Sequence, residues 1–272
     1  MTGTDNTLIS VIVNTASVGL YGNYLTIVNR IVQFSNIIFD SLVASIGNMV
    51  AKGSKEKGYR VFKSMRMCSS WIGGYISICM FILIDDFVKM WLGEEYILPK
   101  MVLLAILFNT FYDIMRKPLL AFREATGLYK KMKYVMFICA VCNIVLSVVF
   151  GSFLNGGVAG IILASFVSKL ITSFWYEPVV LYKDYFEEKG WRYFTDAIGS
   201  ALLCVFAGIV CRIIAGKITV TGVFTWIIKG IICTVIVNII YFLRYFRTAE
   251  FKDIVSKIVK NGNKKSGIVK SV

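Results

Sequence analysis

Apolar runs recur along the chain at lengths suited to helices that cross a bilayer: Met67 to Ile84, Pro99 to Leu120, Tyr134 to Phe153, Val158 to Tyr176, Ala197 to Ala215 and Val220 to Phe242. About 20 helical residues at about 1.5 Å each cover the roughly 30 Å of hydrocarbon. The strands of a membrane barrel are about ten residues long and alternate. These runs do neither, so the pattern predicts helices, which satisfy their own backbone groups in lipid. The stretch Tyr24 to Val50 is equally long but polar along one side. At about 100° per residue, Gly22, Thr26, Asn29, Gln33, Asn36, Asp40, Ala44 and Gly47 share one arc, and Ile27, Ile31, Phe34, Ile38, Leu42 and Met49 point the other way. Such a helix is expected to wall a polar cavity inside a bundle.

The remaining elements follow from the same pattern. Leu8 to Leu20 supplies half a span, with a turn expected over Gly19 to Asn23 before the polar-striped helix. Pro99 is placed to open a helix, where its missing N–H costs little. Gly73 and Gly74 in the Met67 span permit close helix packing, and the uncharged GSFLNGG (151–157) reads as the turn of a helical hairpin. The segment 182–196, YKDYFEEKGWRYFTD, mixes both charge signs with aromatics, as an interfacial helix does. The expected organisation is a transmembrane bundle over 1–181, an interfacial segment over 182–196, a further helix pair over 197–243 and a basic tail over 244–272 whose end is unstructured. The fold class expected is all-α: a polytopic membrane bundle of about seven full transmembrane helices plus a truncated first one.

Composition agrees, with 57% hydrophobic and 17% charged residues. The net charge of +14 changes the picture only through its distribution. Loops 52–66, 116–133, 182–196 and the tail carry 23 Lys and Arg, whereas the alternating loops 85–100, 151–157 and 215–221 carry 3. That alternation is the positive-inside signature and places the basic side, with the C-terminus, in the cytoplasm. It accounts for the charge without nucleic acid, which is not expected as a partner. Histidine is absent, which removes the usual proton shuttle and commonest metal ligand; no enzymatic chemistry, cofactor or metal is expected. The seven cysteines fall in apolar runs, and Cys139-x-x-Cys142 lacks the second pair that a metal site requires.

Candidate chemistry lies inside the spans. Asn29, Gln33, Asn36 and Asp40 form the first polar stripe, and Asn109, Asp113 and Arg116 form a second at i, i+4 and i+7. Amides alone suit interhelical hydrogen bonds. An aspartate near a helix centre costs roughly 2.5–3.5 kcal/mol unless it meets water or a partner, which favours a cavity. Arg30, Arg116 and Lys169 are candidate anion contacts, Arg offering a bidentate fork that Lys lacks. Arg116 is close enough to a helix end to snorkel; Lys169 is not. Asp40 or Asp113 could pair with these cations or take up a coupling ion, H+ or Na+.

Thr4-Asp5-Asn6, Val18-Gly19-Leu20-Tyr21-Gly22-Asn23-Tyr24, Ala44-Ser45-Ile46-Gly47-Asn48, Trp91-Leu92-Gly93-Glu94-Glu95-Tyr96, Arg123-Glu124-Ala125-Thr126-Gly127 and Trp175-Tyr176-Glu177-Pro178 occur in an order that resembles the polysaccharide and O-antigen flippases. These form the lipid-linked oligosaccharide branch of the multidrug/oligosaccharidyl-lipid/polysaccharide exporter superfamily. The resemblance implies two six-helix bundles around a cavity that opens to each side in turn and moves an undecaprenyl-diphosphate-linked glycan across the bacterial cytoplasmic membrane. By that resemblance this chain looks like the second bundle, or lobe, plus the additional helix pair, and the partners it implies are membrane lipids, the lipid-linked glycan, and the first bundle or a second copy of itself. A fragment of a longer transporter, a half-transporter, a multidrug-type relative and a non-transporting subunit or inactive remnant all fit that correspondence.

Overall fold

A computed structural model describes residues 2–256. Among them nine α-helices occur and no strands: α1 (Thr2–Ile12), α2 (Thr15–Ala51), α3 (Lys55–Trp91), α4 (Lys100–Thr126), α5 (Tyr129–Val148), α6 (Gly157–Ile171), α7 (Ser173–Leu181), α8 (Trp191–Ala215) and α9 (Val223–Tyr245). A further helical stretch runs over 249–256. Six helical stretches, Thr15–Ala51, Lys55–Trp91, Tyr129–Phe153, Gly157–Phe186, Trp191–Ala215 and Val223–Tyr245, are long and apolar enough to cross a membrane. The protein is an all-α polytopic membrane bundle. The seventh expected span, α4, has 27 residues and hence crossing length, but Asp113, Arg116 and Lys117 in its second half make it too polar to count with the six.

Two boundaries differ from those expected. The first break falls at Val13–Asn14, and α2 runs unbroken through Gly19 and Gly22. Asn14 decides this: its side chain accepts from the Ser17 N–H at 2.7 Å, capping a donor that the new helix leaves orphaned. Glycines lower helix propensity by only about 1 kcal/mol each, too little to stop a 37-residue helix. The Val158–Tyr176 run is divided at Thr172, whose backbone leaves the helical region (φ −110°, ψ −80°) and whose hydroxyl donates back to Ser168 O at 2.6 Å. Pro178, inside α7, has no N–H to return to the preceding turn. The segment 182–196 is likewise divided, between a π-helical turn at Tyr182–Phe186 that extends α7 and the first turns of α8. The tail beyond 256, with its expected unstructured end, lies outside the described residues.

α3 and α4 are the central pair. α3 touches α2, α4, α8 and α9, while α4 touches α2, α6 and α7. One core unites α1, α2, α3, α4 and α6 through Ile9, Tyr21, Val28, Ile84, Leu103, Ile114 and Ile161. At the basic end a second core is largely aromatic, with Phe39, Phe62, Phe122, Tyr182, Phe186 and Tyr193. At the opposite end Tyr24 Oη donates to Asp85 at 2.7 Å and accepts from Leu98 N–H at 3.3 Å, and Lys100 pairs with Asp85, which joins α2, α3 and α4. The pair α8–α9 packs on α3, where Lys229 meets Asp86 at 2.7 Å. Tyr241 of α9 lies so close to Gly74 that a Cβ there would overlap the phenol oxygen. Only glycine admits that approach.

Candidate functional site

Half-way along the bundle, polar side chains from α1, α2, α4 and α6 surround a cavity of about 130 Å³, lined among others by Asp5, Asn29, Asn109, Asp113, Ser165 and Lys169. Its geometry follows from helical spacing. On α6, Ser165 and Lys169 are four residues apart and share a face; on α4, Asn109 and Asp113 do the same. The two faces meet, and Lys169 Nζ lies 2.8 and 2.9 Å from the two oxygens of Asp113 and 3.1 Å from Asn109 Oδ1. Asn109 Nδ2 in turn donates to Ile162 O at 2.9 Å, which fixes the amide so that its oxygen faces the cation.

The pair is unequally exposed: the side chain of Lys169 is 9% exposed and that of Asp113 48%. The cation is therefore held inside while its counter-charge faces the opening. A second set lies beside it. Ser165 Oγ donates to Asp5 Oδ1 at 2.9 Å and accepts from Asn143 Nδ2 at 2.8 Å, so α1, α5 and α6 are joined by one hydroxyl. Asp5 is 4% exposed, and its direct partner is neutral. The nearby Asn6 Oδ1 and Ser147 Oγ are buried without hydrogen-bond partners among the described residues.

Of the nine residues expected at the site, Asn29, Asn109, Asp113 and Lys169 come together. Arg116 does not join them. It is one turn nearer the basic end, where its Nε donates to Glu177 Oε2 at 2.6 Å and its Nη2 to the other carboxylate oxygen. Arg123 approaches the same carboxylate at 3.8 Å, and Glu177 is 2% exposed. Arg116 is thus a structural tie between α4 and α7 and not an open anion contact. The packed face of α2 is Tyr21, Tyr24, Val28, Ser35, Phe39 and Ile46. Arg30, Gln33 and Asp40 are exposed and Asn36 is half-buried with Oδ1 unpartnered, so these four lie on the flank of α2 and do not enter the cavity.

Sequence reasoning assigned no role to Asp5, Asn143, Ser165 or Glu177. The i, i+4 spacing of Ser165 and Lys169 was the available signal for one of them. The others become meaningful only when α1, α5 and α7 are brought against α4 and α6. No family model, no curated protein and no solved structure matches this chain.

Proposed function

We propose that this protein is one lobe of a transporter for lipid-linked oligosaccharides in a bacterial cytoplasmic membrane, with its basic end and C-terminus in the cytoplasm. The observation that carries the reading is a buried lysine within a membrane-crossing stretch and beside a polar cavity, with its carboxylate partner half exposed. A cation so placed is costly in a membrane and is retained where it serves a solute or an ion pathway. In this reading the incoming diphosphate competes with Asp113 for the Lys169 ammonium, and Asn29 and Asn109 hydrogen-bond the neighbouring hydroxyls. The exposed polar flank of α2, with Gln33 and Asp40, continues that surface toward a second lobe, supplied by a second copy or by further helices.

Transport of this kind needs no covalent step. It needs two arrangements of the lobes whose relative stability depends on what is bound. Asp5 is the best-placed group for a coupling ion, being a buried carboxylate whose direct hydrogen-bond partner is neutral.

The test is a Lys169→Ala substitution in a transporter assembled from this chain and its second lobe. Export of the lipid-linked glycan should fall while the amount of protein in the membrane stays the same; unchanged export removes Lys169 from the mechanism. A loss of surface glycan supports the oligosaccharide reading, and a gain of drug sensitivity with normal glycan replaces it with drug export.

A further inference from the structure

The basic end of the bundle holds a second cavity, of about 210 Å³, that the transport reading does not use. It opens between α3, α8 and the chain around the end of α9. Its wall carries three cations, Lys63, Arg66 and Arg244, and two carboxylates, Asp196 and Glu250. Lys63 is 3.5 Å from Glu250 and Arg66 is 3.3 Å from Asp196. Arg244 makes no ion pair among the described residues, and its guanidinium lies 5.3 Å from the centre of the Tyr245 ring. One positive charge is therefore uncompensated.

The interior of the cavity is built and not incidental. Arg66 is 6% exposed, donates to Tyr193 O at 2.9 Å and lies 4.1 Å from the centre of the Tyr193 ring, yet its Nε is buried without an acceptor among the described residues. This fixes a positive potential at the base. Ser200, also buried, and Thr195 and Thr248 bring hydroxyls to the wall. Beside the cavity on the same two helices, Ile198 and Leu202 of α8 and Phe242 and Leu243 of α9 are exposed and apolar. A ligand here meets charge at one end and hydrocarbon at the other.

We infer that this cavity binds the headgroup of an anionic phospholipid whose headgroup carries hydroxyls, with the phosphodiester against Arg244 and the hydroxyls donating to Asp196 and Glu250. A phosphodiester carries one negative charge and neutralises the single excess cation. The two carboxylates, each paired on one side with Lys63 or Arg66, repel a bare phosphate but keep lone pairs that a ligand's hydroxyls can use. A zwitterionic headgroup brings no net negative charge to the excess cation of the wall. Basic cavities between transmembrane helices at the cytoplasmic level are general sites for anionic headgroups, and the apolar faces of α8 and α9 receive the acyl chains.

The experiment uses the full chain, stripped of lipid in a neutral detergent and titrated separately with dioctanoyl phosphatidylglycerol, dioctanoyl phosphatidylethanolamine and inorganic phosphate. Thermal unfolding and native mass spectrometry are the two readouts. Phosphatidylglycerol should raise the unfolding midpoint saturably and stay bound in the spectrometer, and the other two should do neither. Arg244→Gln, at an exposed position, should leave the unliganded midpoint in place and weaken phosphatidylglycerol binding about tenfold. Lys63→Gln, which makes the cavity neutral, should weaken it as well. Equal binding of phosphatidylethanolamine, equal protection by inorganic phosphate, or undiminished binding in both variants overturns the assignment.

Discussion

Lys169 reaches both oxygens of Asp113 from a position with almost no access to solvent, although the carboxylate it holds is half exposed. The two partners therefore have different costs of removal. Taking away Asp113 leaves a buried ammonium with only Asn109 as a polar partner. Taking away Lys169 leaves a carboxylate that water can still reach.

Asp113→Ala should accordingly destabilise the protein more than Lys169→Met does. The expected loss is about 2 kcal/mol, below the roughly 3–5 kcal/mol of a fully buried pair because solvent screens one member. The double variant should recover most of it. Thermal unfolding of the four proteins in detergent measures the cycle, and equal effects of the two single changes would contradict the asymmetry.

Glu177→Gln should loosen α7 from α4. It leaves Arg116 and Arg123 facing each other without the carboxylate that both approach, at an expected cost of about 3 kcal/mol. Arg116→Lys should not substitute for the wild type, because one ammonium cannot make two parallel bonds to the same carboxylate. Limited proteolysis at the α7–α8 connection, 187–190, is a suitable readout; unchanged cleavage in both variants would show that the tie is not needed.

The packing of α9 on α3 gives a pair of opposite expectations at one contact. Gly74→Ala places a methyl group inside the phenol of Tyr241 and should detach α9, with a loss of about 1–3 kcal/mol. Tyr241→Phe should be neutral or stabilising by up to about 1 kcal/mol, since the hydroxyl is buried without a partner among the described residues. A stability loss in Tyr241→Phe would reveal a hydrogen bond to that oxygen.

Asp5→Asn keeps an acceptor for Ser165 and removes the burial of a charge, so stability should hold or rise. Under the transport proposal, an ion-gradient dependence of export that runs through Asp5 should be lost in this variant. Export that still follows the gradient in this variant removes Asp5 from coupling while leaving the fold as described.

The helical class and the crossing lengths were legible because lipid imposes one rule on every span: backbone groups must be satisfied within it. Lys169 stood out in the sequence as a charge inside an apolar run, and it is buried and paired with Asp113. The placement of Arg116 was not, since its partner Glu177 stood next to Pro178 at an expected helix end and gave no sign of being buried. The polar stripe of α2 was expected to wall the cavity as a unit, yet only Asn29 of its four polar residues lines it; periodicity gives the angle between faces and not which of them meets a neighbour. That was decided by Tyr21, Tyr24, Val28 and Phe39, which pack inward and leave Gln33, Asn36 and Asp40 on the flank.

The break at Thr172 has a mechanical consequence. α4 grips α6 through Asp113 and Lys169 on one side of it, and α7 through Arg116 and Glu177 on the other. Asp113 and Arg116 are neighbours on a continuous helix, so α4 acts as a splint across the joint. Any appreciable bend at Thr172 pulls the two arms in different directions against a rod that cannot follow both. One grip has to open before the joint can move, and the half-exposed one is the easier to release.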